Sequence, residues 1–89
     1  MPDRDAGLPR DRLLAMVTKI LEKNSISRPV SIEEQLTEAG LSSIDMVNLM
    51  LAIEARFDMM IPASEITPAN FSSILAIESL IVRIKGPRQ

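Results

Sequence analysis

Apolar positions recur at helical spacing in three stretches of the chain, separated by polar or proline-containing segments. The spacing predicts helices over residues 12–24 and 43–57, and a last helix that follows a cap at Asn70 or Ser72 and ends near Ile84. A short helical piece fits between Pro62 and Pro68, and few segments show the alternation of a strand. The expected fold class is therefore all-α, a small four-helix bundle of three long helices and one short helix before the last. A long loop connects the first two helices.

The helix predicted over 43–57 has apolar residues on two sides, since each residue turns the chain by about 100°. One side carries Met46, Leu49, Met50, Ile53 and Phe57, and the opposite side carries Ile44, Val47 and Leu51, with Ala55 below. A bundle of this size buries one face of such a helix. We therefore expect Ile44, Val47 and Leu51, termed the exposed stripe, to face solvent and a partner. The alternative is that both sides are buried, as in a central helix.

The expected domain covers residues 10–85, between a flexible N-terminal tail over 1–9 and a C-terminal tail over 86–89. Three apolar residues of the long loop should fix it to the core: Leu36, Ala39 and Leu41. The predicted core consists of Leu13, Val17, Ile20, Leu21, Met46, Leu49, Met50, Ile53, Phe57, Ile61, Phe71, Ile74, Ile77 and Ile81.

Composition narrows the range of possible functions. The 89 residues include no Cys and no His, which excludes disulfides, thiolate zinc sites and most designs of hydrolase or transferase site. Residues 29–80 carry eight acidic side chains against Arg56 alone, so this segment repels nucleic acid and suits a basic partner, although a solvated acidic surface is the simpler interpretation. No apolar run reaches the length of a membrane span, and nothing in the first residues resembles a signal peptide, so we expect a cytoplasmic protein.

Two short motifs resemble the acyl carrier protein family. Ser43-Ile44-Asp45, which follows a glycine and a long loop and opens the central helix, is similar to the family's Asp-Ser-Leu attachment motif. Phe57-Asp58 followed by Ile61-Pro62 matches the family's Phe-Asp-x-x-Ile-Pro ending. The serine alone would more often be a simple helix cap, but both motifs together at this spacing are specific, and the similarity covers residues 10–84.

The resemblance implies that Ser43 carries 4′-phosphopantetheine, transferred from coenzyme A by a separate phosphopantetheinyl transferase. The chain would then be a monomeric carrier and not an enzyme, holding an acyl or aminoacyl group as a thioester on a thiol that it does not itself contain. A loading ligase and downstream acyltransferases or synthases would be its other partners, in fatty-acid biosynthesis and lipid metabolism or in a related pathway. The implied partner-binding residues are Ile44, Asp45, Val47, Asn48, Leu51 and Ala55.

The chain departs from the family pattern around the serine. Ser42 replaces the acid that usually precedes it, and Asn48, Ala55 and Arg56 stand where acids are usual. These changes favour a specialised carrier over the housekeeping fatty-acid type, with recognition that depends more on the exposed stripe than on charge. The alternative is an unmodified helical adaptor that binds a partner through the same stripe. A stand-alone enzyme and a DNA-binding protein fit the residues less well.

Overall fold

The computed structural model of the protein describes residues 9–85, in which every regular element is helical. The elements are α1 (Pro9–Lys23), α2 (Leu36–Ala39), α3 (Ser43–Arg56), a 3₁₀ turn (Ala63–Glu65) and α4 (Ile74–Lys85). Helix α1 packs against both α3 and α4. The predicted all-α bundle is confirmed, with the long loop between α1 and α3 and the short helical piece before α4. Within residues 9–85 no helix is long and apolar enough to cross a membrane.

Two helix starts differ from the prediction. Helix α1 begins at Pro9, three residues earlier than predicted, because proline suits the first helical position, where its missing N–H is not needed. Asp11 lies in the first turn of this helix. Pro9 therefore belongs to α1 and not to the expected N-terminal tail. The rest of that tail, residues 1–8, and the expected C-terminal tail over 86–89 lie outside the described residues. Helix α4 is capped by Ser73, whose Oγ accepts the backbone N–H of Ala76 at 3.1 Å, and not by Asn70 or Ser72.

The core is aliphatic, and most of its predicted members are buried. Fully or largely buried are Leu13, Val17, Leu21, Leu49, Ile53, Phe57, Ile61, Phe71, Ile74, Ile77 and Ile81. Ile20, Met46 and Met50 are only half-buried and pack against the edge of the core, because they line open grooves. Met16, Val30 and Leu80 are further core members that the prediction did not include.

The long loop is fixed to the bundle as expected, since Leu36, Ala39 and Leu41 are buried. Two backbone hydrogen bonds tie it to the start of α4: the N–H of Leu36 donates to the carbonyl of Ser72 at 2.9 Å, and the N–H of Leu75 donates to the carbonyl of Ile32 at 3.0 Å. The loop therefore lies beside the N-terminal end of α4.

A glycine ends α2. Gly40 has φ +126°, and a Cβ placed there would lie 2.5 Å from Cδ1 of Ile26. A residue with a Cβ would be strained at this φ, and the end of the Ile26 side chain would also have to move. Gly40 therefore suits the turn that leads the chain into α3.

The second motif, Phe57-Asp58 followed by Ile61-Pro62, forms the turn at the end of α3. Phe57 caps the helix with 7% of its surface exposed, and the guanidinium carbon of Arg12 lies 5.4 Å from the centre of its ring. The chain then turns at Asp58, which has φ +52°, and the N–H of Ile61 donates to Oε2 of Glu54 at 2.9 Å. Lys85 of α4 donates to the carbonyl of Phe57 at 2.8 Å, so this corner is held from two helices.

Candidate functional site

A capping box builds the N-terminal end of α3. Ser42 is extended, with ψ 175°, and its Oγ accepts the backbone N–H of Asp45 at 3.1 Å. In return, Oδ2 of Asp45 accepts the backbone N–H of Ser42 at 2.9 Å. The predicted role of Ser42 as the N-cap is confirmed, and its hydroxyl is occupied by this role.

Ser43 is the first residue of α3 and is exposed. Its hydroxyl has no hydrogen-bond partner among residues 9–85. The first N–H groups of a helix have no partner within the helix, and the helix dipole adds positive potential there, so the position favours a group that carries a phosphate. The two neighbouring serines therefore have different environments: the Ser42 hydroxyl is committed to the backbone, and the Ser43 hydroxyl is available.

Asp45 connects this helix end to α1. Its Oδ2 also accepts a hydrogen bond from Nδ2 of Asn24, at 2.9 Å. The pKa of Asp45 lies below its ordinary value, chiefly because the backbone N–H of Ser42 donates to the carboxylate, with further contributions from Asn24 and the charge of Lys23. The carboxylate is thus held ionised and fixed in place two residues from Ser43.

An open groove of about 480 Å³ begins at Ser43 and is termed the first groove. Its apolar surface comes from α3 and from the segment before α4, and polar side chains of the long loop form part of its edge. The lining residues are Gln35, Thr37, Ser43, Met46, Val47, Met50, Ile66, Thr67, Pro68, Phe71 and Ser72. The groove is open and mainly apolar with a polar edge, so a group attached to Ser43 can lie along it.

The exposed stripe is confirmed as solvent-facing. Ile44, Val47 and Leu51 have 73%, 51% and 53% of their surfaces exposed, and Ala55 is exposed below them. Large apolar side chains are rarely grouped on the surface of a monomer without a role in binding. The interpretation that both faces of this helix are buried is therefore wrong.

The structure brings the predicted site residues together on one helix. Asn48 is exposed beside the stripe, and Asp45 is half-buried at the helix start. Sequence reasoning missed the polar edge of the first groove, formed by Gln35, Thr37 and Ser72. The only sequence feature that pointed to these residues was their position in the long segment between α1 and α3 or in the segment before α4.

Comparisons with known proteins show which family this chain resembles. Residues 11–81 match the family model described as a phosphopantetheine attachment site. Aminoacyl carrier protein 1 of Bradyrhizobium diazoefficiens is 47% identical over 73 residues, which cover 82% of this chain and 81% of that protein. Aminoacyl carrier protein 2 of the same organism is 46% identical over 77 residues, covering 86% of each.

A solved structure is similar in fold and sequence. It is a crystal structure of Bradyrhizobium japonicum glycine:[carrier protein] ligase complexed with glycylated carrier protein. The matching chain is 48% identical to this one, with a TM-score of 0.70, and the match covers 80% of this chain and 96% of that chain.

Proposed function

The chain belongs to the acyl carrier protein family, whose members hold 4′-phosphopantetheine covalently, and we propose that it carries an aminoacyl group on such an arm attached to Ser43. The observation that carries the proposal is the contrast between the two serines at the start of α3. Ser43 is exposed and its hydroxyl has no hydrogen-bond partner in the described part of the chain, whereas the Ser42 hydroxyl is engaged as the cap.

The residues around Ser43 fit the prosthetic group. The N-terminal end of α3 offers backbone N–H groups and positive potential to a phosphodiester. The first groove offers an apolar surface with polar side chains along one edge. When bound, the group supplies the reactive thiol that this chain lacks, since the sequence has no cysteine. In this proposal the chain is a substrate and carrier for other enzymes and performs no catalysis itself.

An aminoacyl cargo is favoured over a fatty acyl chain. The relatives that match along most of the chain are named aminoacyl carrier proteins, and one similar carrier was crystallised in its glycylated form. A fatty acyl chain held inside the bundle would have to lie beside Leu49, Ile53 and Ile77, but these side chains are fully buried and line neither described groove. Met50 and Ile66 do line the first groove, which is open and suits the arm itself.

The proposed partners act on Ser43 and the exposed stripe in turn. A phosphopantetheinyl transferase would modify Ser43, and a loading ligase would then attach the amino acid while contacting Ile44, Val47 and Leu51. A downstream acyltransferase or synthase would take the cargo from the same surface, because an arm fixed at the start of α3 places the cargo next to it. The proposed carrier is monomeric and cytoplasmic.

Intact mass spectrometry tests the proposal. The wild-type protein, Ser43→Ala and Ser42→Ala are each incubated with coenzyme A and a phosphopantetheinyl transferase. We expect the wild type and Ser42→Ala to gain the mass of one phosphopantetheine group and Ser43→Ala to gain none while keeping its helical circular dichroism spectrum. Modification of Ser43→Ala, or loss of modification in Ser42→Ala alone, would move the attachment site to Ser42.

The cargo is tested on the modified protein. The Bradyrhizobium japonicum glycine:[carrier protein] ligase is supplied with ATP and glycine or a fatty acid, and the mass of the product is measured. We expect the glycyl mass only. A wild-type protein that stays unmodified with the transferase would instead support the adaptor that binds a partner through the exposed stripe.

A further inference from the structure

Most basic side chains of the described part of the chain have a partner within it. Arg10, Arg28 and Arg83 form ion pairs with Glu78, Glu34 and Glu65, Lys85 donates to a backbone carbonyl, and Arg12 lies over the ring of Phe57. Lys19, Lys23 and Arg56 form no ion pair or hydrogen bond with residues 9–85. All three line a single groove between α1 and α3, which is termed the second groove.

The second groove combines these cations with an apolar floor. Its volume is about 280 Å³, and its other lining residues are Met16, Ile20, Asn48 and Ala52. None of the lining residues is acidic. Glu22 precedes Lys23 on α1 and is exposed. The charge of Lys23 contributes to the lowered pKa of Asp45, whose carboxylate already accepts hydrogen bonds from Ser42 and Asn24. The groove therefore keeps a net positive charge.

The second groove is continuous with the exposed stripe. On α3, Asn48, Ala52 and Arg56 follow each other at intervals of four residues, so they form one row along the helix. The row of Val47, Leu51 and Ala55 runs directly beside it. A protein that covers the stripe therefore reaches the edge of the second groove without further movement.

We propose that the second groove receives carboxylate side chains of the loading ligase while that enzyme covers the exposed stripe. The inference deepens the proposed function and rests on it. A short acidic segment fits a small groove with three cations that have no ion-pair partner among residues 9–85, and such complementary charges fix the orientation of a bound partner. Nucleic acid or an anionic membrane fits less well, because an extended anionic surface would also face the acidic side chains that dominate residues 29–80.

Charge removal tests the groove. The test variant combines Lys19→Gln, Lys23→Gln and Arg56→Gln, and the matched control combines Arg10→Gln, Arg28→Gln and Arg83→Gln, which removes the same charge from cations that already have partners. Each protein is converted to the phosphopantetheine form, checked by circular dichroism and loaded with glycine by the Bradyrhizobium japonicum ligase. We expect the KM for the test variant to rise about tenfold with kcat unchanged, and the control to stay within about twofold.

A conservative variant separates charge from packing. Lys19→Arg, Lys23→Arg and Arg56→Lys together keep all three charges, and we expect them to keep the wild-type KM. Equal KM values for wild type and test variant would overturn the inference and leave the proposed function intact, whereas a wild-type protein that the ligase cannot load would overturn both. Sedimentation of the wild type, but not of the test variant, with phosphatidylglycerol vesicles, together with unchanged loading, would assign the groove to a membrane and also overturn the inference.

Discussion

Leu51→Asp should weaken loading by the ligase more than tenfold. Leu51 is 53% exposed, so a partner can bury about half of its surface, which is worth about 1 kcal/mol of the 1.5–3 kcal/mol for a fully buried leucine. That loss alone corresponds to about a fivefold change in affinity. Aspartate also places an unpaired carboxylate in an apolar contact, which adds a desolvation cost of similar or larger size. Leu51 lines neither described groove, so the change tests the stripe alone.

The assay is the steady-state rate of glycine loading of the phosphopantetheine form across a range of carrier concentrations. Val82→Asp is the matched control, since Val82 is an apolar residue of α4 with 42% of its surface exposed. We expect the KM for Leu51→Asp to rise more than tenfold and that for Val82→Asp to change by less than about twofold. A Leu51→Asp protein that is loaded as efficiently as the wild type would refute the assignment of the exposed stripe as the docking surface.

Two further predictions concern the framework of the site. Phe57→Ala should lower the free energy of unfolding by about 3–5 kcal/mol in urea denaturation, because Phe57 is buried beneath Arg12; a loss below about 1 kcal/mol would place it outside the core. Because the pKa of Asp45 is lowered in the folded protein, its stabilising effect is present above its ordinary pKa and is lost as the pH falls through the folded-state value. Asp45→Asn should therefore flatten the acid side of the stability profile, and an unchanged profile would contradict the capping box.

Local signals in the sequence were sufficient to predict where α3 begins and that it is helical. The cap at Ser42, the acid three residues later and the uninterrupted apolar pattern all lie within one short segment, and the helix forms as predicted. The start of α4 was harder to predict, because Asn70, Ser72 and Ser73 are all good capping residues. Asn70 is used elsewhere, since its Nδ2 donates to the carbonyl of Glu65 at 2.8 Å, and this choice depends on how the preceding turn packs.

The two grooves could not be predicted, because they depend on contacts between distant segments. The first groove exists because the long loop is hydrogen-bonded to the start of α4, through Leu36 and Ser72. The second depends on which face of α1 lies against α3. Lys19 and Lys23 show only an ordinary polar helix face in the sequence, and nothing local places Arg56 beside them.

The cap of α3 and the proposed attachment residue are two different, adjacent serines, Ser42 and Ser43. The oxygen that accepts the Asp45 N–H belongs to Ser42, so modification of Ser43 would leave this capping hydrogen bond untouched. With Ser42 as the cap, a group on Ser43 leaves the capping box and the core face of α3 unchanged. In the proposed function, modification at Ser43 therefore requires no refolding of α3, and we expect partners to meet the same helix surface before and after loading.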